Sequence, residues 1–125
     1  MTIQKTTVLL ADDEPLVLRL LHRVLDAHAD AVVVGAAQDG LEAIDLWRDL
    51  RPDVIVVDHM MPGMTGLEVA ERVLREEPTQ RIILFTATPL NEVDEAARSL
   101  GIAACVAKTD MWSIPELLPR TRVYT

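Results

Sequence analysis

Three acidic residues and one lysine, far apart in the chain, share one kind of position: each closes or follows a short apolar run. Asp12 and Asp13 follow Thr7-Val8-Leu9-Leu10-Ala11, Asp58 ends Val54-Ile55-Val56-Val57, and Lys108 follows Ala104-Cys105-Val106-Ala107. Such runs between helical patterns read as buried parallel strands. In an open parallel sheet the carboxyl ends of the strands meet in one crevice, so three carboxylates and an ammonium are predicted in one site. Carboxylates about 4 Å apart repel by roughly 4 kcal/mol at an effective dielectric near 20. A group of this kind needs a cation or raised pKa values to persist. Hard oxygen ligands favour magnesium, which keeps several waters and often bridges carboxylates to a phosphate. Lys108 adds a point charge for a phosphoryl oxygen, and one carboxylate is left to act as nucleophile and form an acyl phosphate. Asp58 is the best candidate, because it ends the central strand and precedes the turn-rich loop His59-Met60-Met61-Pro62-Gly63-Met64-Thr65-Gly66. Thr86 ends the fourth strand beside it, with a hydroxyl for the attached phosphoryl group.

Five strands and the helices between them must position these residues. The apolar runs at residues 7–10, 31–34, 54–57, 82–85 and 104–106 read as the strands. In the first interval Leu16, Leu20 and Val24, with Val17 and Leu21 on the same side, recur at helical spacing. Pro15 suits a first helical turn, where no amide donor is needed. The second helix opens after the turn signal Asp39-Gly40 and carries Leu41, Ile44 and Trp47. Thr65-Gly66-Leu67-Glu68 has capping-box spacing, which predicts a helix from there to about Glu76. A fourth helix is predicted over residues 91–100, stopped by Gly101. A short fifth opens near Ser113, with Pro115 early and Pro119 near its end. The pattern predicts a single (βα)5 doubly wound domain over residues 1–125, a five-stranded parallel sheet flanked by helices.

With 125 residues, 50% of them hydrophobic and 26% charged, the chain has the make-up of one globular domain. Its formal charge is −8, from 12 basic and 20 acidic residues, and no basic cluster stands out. That argues against direct nucleic-acid binding by this domain. The single Cys105 cannot staple the fold, in keeping with a reducing cytoplasm. The start Met1-Thr2-Ile3-Gln4-Lys5 lacks signal-peptide features, and no apolar run approaches the ~18–20 residues that span a bilayer. The expectation is a soluble cytoplasmic domain with no membrane partner.

Asp12-Asp13-Glu14-Pro15, Asp39-Gly40-Leu41-Glu42-Ala43, Pro52-Asp53-Val54, the block from Asp58 to Gly66-Leu67, Thr86-Ala87 and Lys108 together resemble the receiver domain of bacterial two-component response regulators, in order and in spacing. Each short match is weak alone; the combination is specific and extends over nearly the whole chain. The resemblance implies a flavodoxin-like fold and a phosphorylation-activated signalling switch of a phosphorelay. It implies no metabolic enzyme, although a receiver contributes to its own phosphoryl transfer and dephosphorylation. Asp58 is the implied phosphoacceptor, and Asp13, Asp58 and the backbone carbonyl of Met60 are the implied ligands of Mg2+, with Mn2+ as the other candidate. Asp12 assists through water, Lys108 contacts the phosphoryl group, and Thr86 is the implied switch residue. The implied donor is a sensor histidine kinase or a histidine phosphotransfer protein, and the implied output is a downstream protein partner or a homodimer.

Residues Val33-Val34-Gly35-Ala36-Ala37-Gln38-Asp39-Gly40 and Met61-Pro62-Gly63-Met64-Thr65-Gly66-Leu67-Glu68 are similar to receivers that precede a helix-turn-helix DNA-binding domain. The chain is therefore also readable as the regulatory half of a transcriptional regulator, with no output domain within residues 1–125. Three departures from the family pattern stand out. Thr109 replaces a frequent proline after the lysine, Cys105 replaces a frequent Tyr or Phe, and the last helix holds Pro119 and stops soon after. Without the ring at Cys105, the usual inward swing that accompanies the threonine movement cannot operate unchanged. Met60 and Thr88, two residues beyond Asp58 and Thr86, hold positions that tune loss of the phosphoryl group, and apolar Met60 is expected to shield it from water. Two other readings compete. A haloacid-dehalogenase-type phosphohydrolase needs a second Asp where this chain has Met60. A degenerate receiver acting as a phosphorylation-independent binding module is at odds with the intact acidic set.

Overall fold

The apolar runs carry no polar alternation because both faces of the sheet they form are covered. The computed structural model describes residues 2–28, 30–119 and 122–124. In chain order the elements are β1 (Thr2–Gln4), β2 (Thr6–Ala11), α1 (Pro15–Asp26), β3 (Ala31–Ala37), α2 (Gly40–Leu50), β4 (Val54–Asp58), α3 (Gly66–Glu76), β5 (Arg81–Thr86), α4 (Leu90–Leu100), β6 (Ala104–Ala107), a 3-10 segment (Lys108–Leu117) and β7 (Arg122–Tyr124). Five strands form one parallel sheet in the order β3-β2-β4-β5-β6, the doubly wound flavodoxin-like topology. β1 and β7 pair antiparallel in a separate two-stranded ribbon, which the sequence pattern does not announce.

Successive residues of each strand serve opposite layers. Val8, Leu10, Val54, Val56, Ile83 and Phe85 pack with Leu18, Leu21 and Leu25 of α1 and with Ile114. Leu9, Ile55, Val57, Ile82 and Leu84 pack on the other face with Ile44, Trp47, Val69, Val73 and Val93 from α2, α3 and α4. Central β4 is buried at every position. Two helix starts follow their sequence signals. Asp39 Oδ1 accepts from Glu42 N at 2.8 Å, and Thr65 and Glu68 complete a reciprocal capping box at 3.1 and 3.2 Å. Gly101 ends α4 at φ 94°, a conformation that costs glycine little.

The structure corrects two local expectations. On α1, Leu16 and Leu20 are 59% and 40% exposed, and the buried residues are Leu18, Leu21, Val24 and Leu25. The helix carries two overlapping apolar stripes, both at helical spacing, and the one with Leu18, Leu21 and Leu25 packs against the sheet. The fifth helix is not an α-helix opening near Ser113. It is a 3-10 segment from Lys108 to Leu117 with a non-helical break at Asp110. Pro115 supplies no amide and its ring collides with the carbonyl four residues back, so an α-helix cannot run through this stretch. Trp47 is fully buried, its Nε1 donating to Gln80 Oε1 at 2.9 Å, whereas Trp112 is 74% exposed. Among the described residues, no helix is long and apolar enough to cross a membrane.

Candidate functional site

Sheet register brings the acidic residues together. Ala11 of β2 is level with Val57 of β4, so the next residues, Asp12 and Asp58, emerge side by side from the two neighbouring strands. Asp58 is level with Phe85, and Thr86 with Ala107, which puts Thr86 and Lys108 at the same edge of the sheet. Asp12 is fully buried and Asp58 is 3% exposed. Asp12, Asp13 and Asp58 each present a carboxylate oxygen within 4.8 Å of the others. Lys108 Nζ lies 2.9 Å from Asp12 Oδ2 and 3.4 Å from Asp58 Oδ2, and 5.9 Å from the centre of the Phe85 ring beneath it.

The loop after Asp58 is folded back tightly. Gly66 N donates to His59 O at 2.7 Å. A Cβ on Gly66 would stand 2.4 Å from the Asp58 carbonyl oxygen and 2.8 Å from Leu84 Cδ1, so only glycine lets the start of α3 approach the end of β4 this closely. His59 is partly buried, and burial holds its imidazole pKa below the ordinary value. Its Nδ1 has no hydrogen-bond partner.

Crowding shows in the titration of Asp58. Burial, and then the charge of Asp12, push its carboxyl from 3.8 up to about 6, against the opposing pull of Lys108. For Lys108, burial acts to lower the pKa, but the close contact with Asp12 and the charges of Asp12 and Asp58 outweigh it and raise the value. One ammonium thus does not neutralise the group. Asp12 Oδ2 has its ion-pair partner but no directed hydrogen bond, although a buried carboxylate oxygen ordinarily finds a donor. Hard oxygens, excess negative charge and an undonated buried oxygen are a donor set that fits a small divalent cation.

Thr86 is fully buried, and its Oγ1 accepts from Thr88 N at 2.9 Å. The hydroxyl proton remains available to an acceptor. Met60 is 63% exposed on the loop beyond Asp58. Of the residues singled out in the sequence, Asp12, Asp13, Asp58 and Lys108 therefore share one site, Thr86 ends the neighbouring strand at the same edge of the sheet, and Met60 is exposed on the loop that follows Asp58. Sequence reasoning missed Glu14 as more than part of a motif: its Oε1 lies 4.0 Å from Lys108 Nζ. A glutamate directly before a helix-opening proline is a poor cap, and that was the available signal.

Residues 8–118 match the response regulator receiver domain. The chain belongs to the response regulator receiver domain family. This receiver is 38% identical over 110 residues to a protein-glutamate methylesterase/protein-glutamine glutaminase of Nitrosomonas europaea, a match covering 87% of the chain and 31% of the relative. The receiver thus spans about a third of the length of the curated relatives it matches, at 31%, 29% and 29%. Among solved structures it resembles the response regulator domain of Thermotoga maritima CheB, with TM-score 0.79, 31% identity, and 86% and 81% of the two chains covered. It also resembles a DNA-binding response regulator of the LuxR family from Staphylococcus aureus, with TM-score 0.83, 26% identity, and 90% and 94% covered. The chain is a receiver domain of two-component systems, as the sequence resemblance implied, and it has relatives on both sides of the expected comparison with DNA-binding regulators.

Proposed function

We propose that this receiver accepts a phosphoryl group on Asp58 and thereby switches a protein-binding surface. The observation that carries the reading is the meeting of the Asp12, Asp13 and Asp58 carboxylates within 4.8 Å with Lys108 Nζ at 2.9 and 3.4 Å. The donor is the phosphohistidine of a sensor histidine kinase or a histidine phosphotransfer protein. Asp58 Oδ forms a bond to phosphorus while the phosphorus–imidazole bond breaks, and the imidazole leaves with the electron pair. With a pKa of about 6, Asp58 is mostly ionised, hence nucleophilic, at neutral pH. Asp12, Asp13, Asp58 and the Met60 carbonyl would hold Mg2+, or Mn2+ in its place. The cation supplies charge neutralisation for the donor's phosphoryl oxygens.

Lys108, already paired closely with Asp12 and Asp58 and at 4.0 Å with Glu14, turns to a phosphoryl oxygen once Asp58 has lost its charge. Thr86 donates its hydroxyl proton to another, giving up or bending its contact with Thr88 N. These two movements bias the surface that a downstream partner or a second copy reads. The domain acts in the cytoplasm as a regulatory module over residues 1–125, with no catalysis beyond its own phosphorylation and dephosphorylation. The coverage of only about a third of its curated relatives favours a second reading as well, in which it is the regulatory part of a larger protein with an esterase-like or DNA-binding output. Native mass spectrometry with magnesium, before and after acetyl phosphate, tests the central claim. One phosphoryl group gained by the wild type and none by Asp58→Asn is expected; equal gain by both overturns it.

A further inference from the structure

Glu14 occupies the residue before α1 in a way that helix stability does not explain. Its backbone is extended (φ −98°, ψ 111°), Pro15 follows at the first helical position, and the side chain makes no capping hydrogen bond. Ser, Thr, Asp or Asn would cap the helix better there, as Asp39 and Thr65 do for α2 and α3. The backbone is nevertheless held firmly: Glu14 N donates to Asp12 Oδ1 at 2.9 Å, and Leu18 N donates to Glu14 O at 3.2 Å. That leaves the carboxylate at the mouth of the acidic pocket, 65% exposed, with Oε1 4.0 Å from Lys108 Nζ. A local rule broken beside a reactive centre points to function rather than to stability.

We propose that Glu14 is a charge gate, which slows phosphoryl transfer to Asp58 from free dianionic donors and so reserves the site for protein-borne phosphoryl groups. The proposal rests on Asp58 being the phosphoacceptor. A small anion entering the pocket meets the Glu14 charge and has no other contacts to offset the repulsion. A donor protein gains surface contacts elsewhere that do offset it. Two donor charges against one on Glu14 at about 6 Å, with an effective dielectric of about 60 and a Debye length near 8 Å, change the rate roughly fourfold. In the step itself, Asp58 Oδ bonds to phosphorus as the bond between phosphorus and the acetyl oxygen breaks, and acetate leaves with the electron pair.

The test compares wild type, Glu14→Gln and Glu14→Ser under saturating magnesium, at low and at high salt. Phosphorylation rates are measured with acetyl phosphate, a dianion, and with phosphoramidate, whose protonated nitrogen leaves a single net negative charge. Both variants should react with acetyl phosphate roughly fourfold faster near physiological salt, with a larger gain at low salt and a smaller gain with phosphoramidate. Glu14→Ser should also raise the melting temperature, which separates the electrostatic effect from damage to the fold. Unchanged rates, or a gain equal for both donors and indifferent to salt, overturn the gate. Phosphorylation of Asp58 at rates independent of Glu14 overturns the gate alone, whereas no modification of Asp58 in any variant overturns the phosphoacceptor reading together with it.

Discussion

Asp58→Asn should make the metal-free domain more stable at neutral pH, although it removes the residue on which the proposed function depends. Burial and the Asp12 charge push the Asp58 carboxyl from 3.8 up to about 6. That difference, about 2 pH units, corresponds to about 3 kcal/mol. Because the folded pKa lies above the unfolded one, the associated stability is fully present below pH 3.8, where both states are protonated. It is lost as the pH rises through about 6. Asparagine keeps the shape of the side chain and never ionises, and the lost attraction to Lys108 is already contained in the net pKa. In EDTA near neutral pH the variant should therefore gain up to about 3 kcal/mol, on the order of 10 °C in Tm for a domain of this size. At about pH 5 roughly half of the gain should remain, since the wild type is by then mostly protonated when folded. Magnesium should narrow the gap at neutral pH by binding the native wild type more tightly than the variant. Urea or thermal unfolding across pH reads all three trends. A variant no more stable than wild type at neutral pH, or a gain that does not shrink on acidification, would refute the electrostatic account of this site.

Other perturbations test neighbouring features. Gly66→Ala forces a Cβ to within 2.4 Å of the Asp58 carbonyl oxygen, and should cost about 1–3 kcal/mol and slow phosphorylation; urea unfolding together with a phosphorylation time course checks both. Thr65→Ala removes the capping box of α3 and should cost about 1 kcal/mol while leaving the Asp58 reaction intact, as unfolding and mass spectrometry would show. Replacing Met60, 63% exposed two residues after Asp58, with Asn or Glu should speed loss of the phosphoryl group from Asp58; an unchanged dephosphorylation rate removes the shielding role.

The residues themselves announced much of this architecture because the relevant signals are local. Asp39, Thr65 and Gly101 mark helix ends through side-chain or backbone chemistry that acts within a few residues. The runs ending at Ala11 and Asp58 mark buried strands by composition alone, and the run ending at Ala107 marks a half-buried edge strand. Since parallel strands all present their carboxyl ends to one crevice, the closeness of Asp12, Asp13, Asp58 and Lys108 followed from order along the chain. Other features depend on how the pieces meet. Leu16 and Leu20 satisfy the helical period as well as Leu18, Leu21 and Leu25 do, and only the packing of α1 on the sheet chooses between the two stripes. The pairing of β1 with β7 joins segments separated by nearly the whole chain. Asp58 reaches a pKa of about 6 only because strand register buries it beside Asp12. Glu14 faces Lys108 only because Asp12 Oδ1 holds its backbone at the pocket mouth. The sequence by itself determined the five strands of the main sheet, the first four helices and the meeting of Asp12, Asp13, Asp58 and Lys108, through short-range chemistry. The tertiary structure decided face, register and burial, because those depend on contacts between segments that no local pattern encodes.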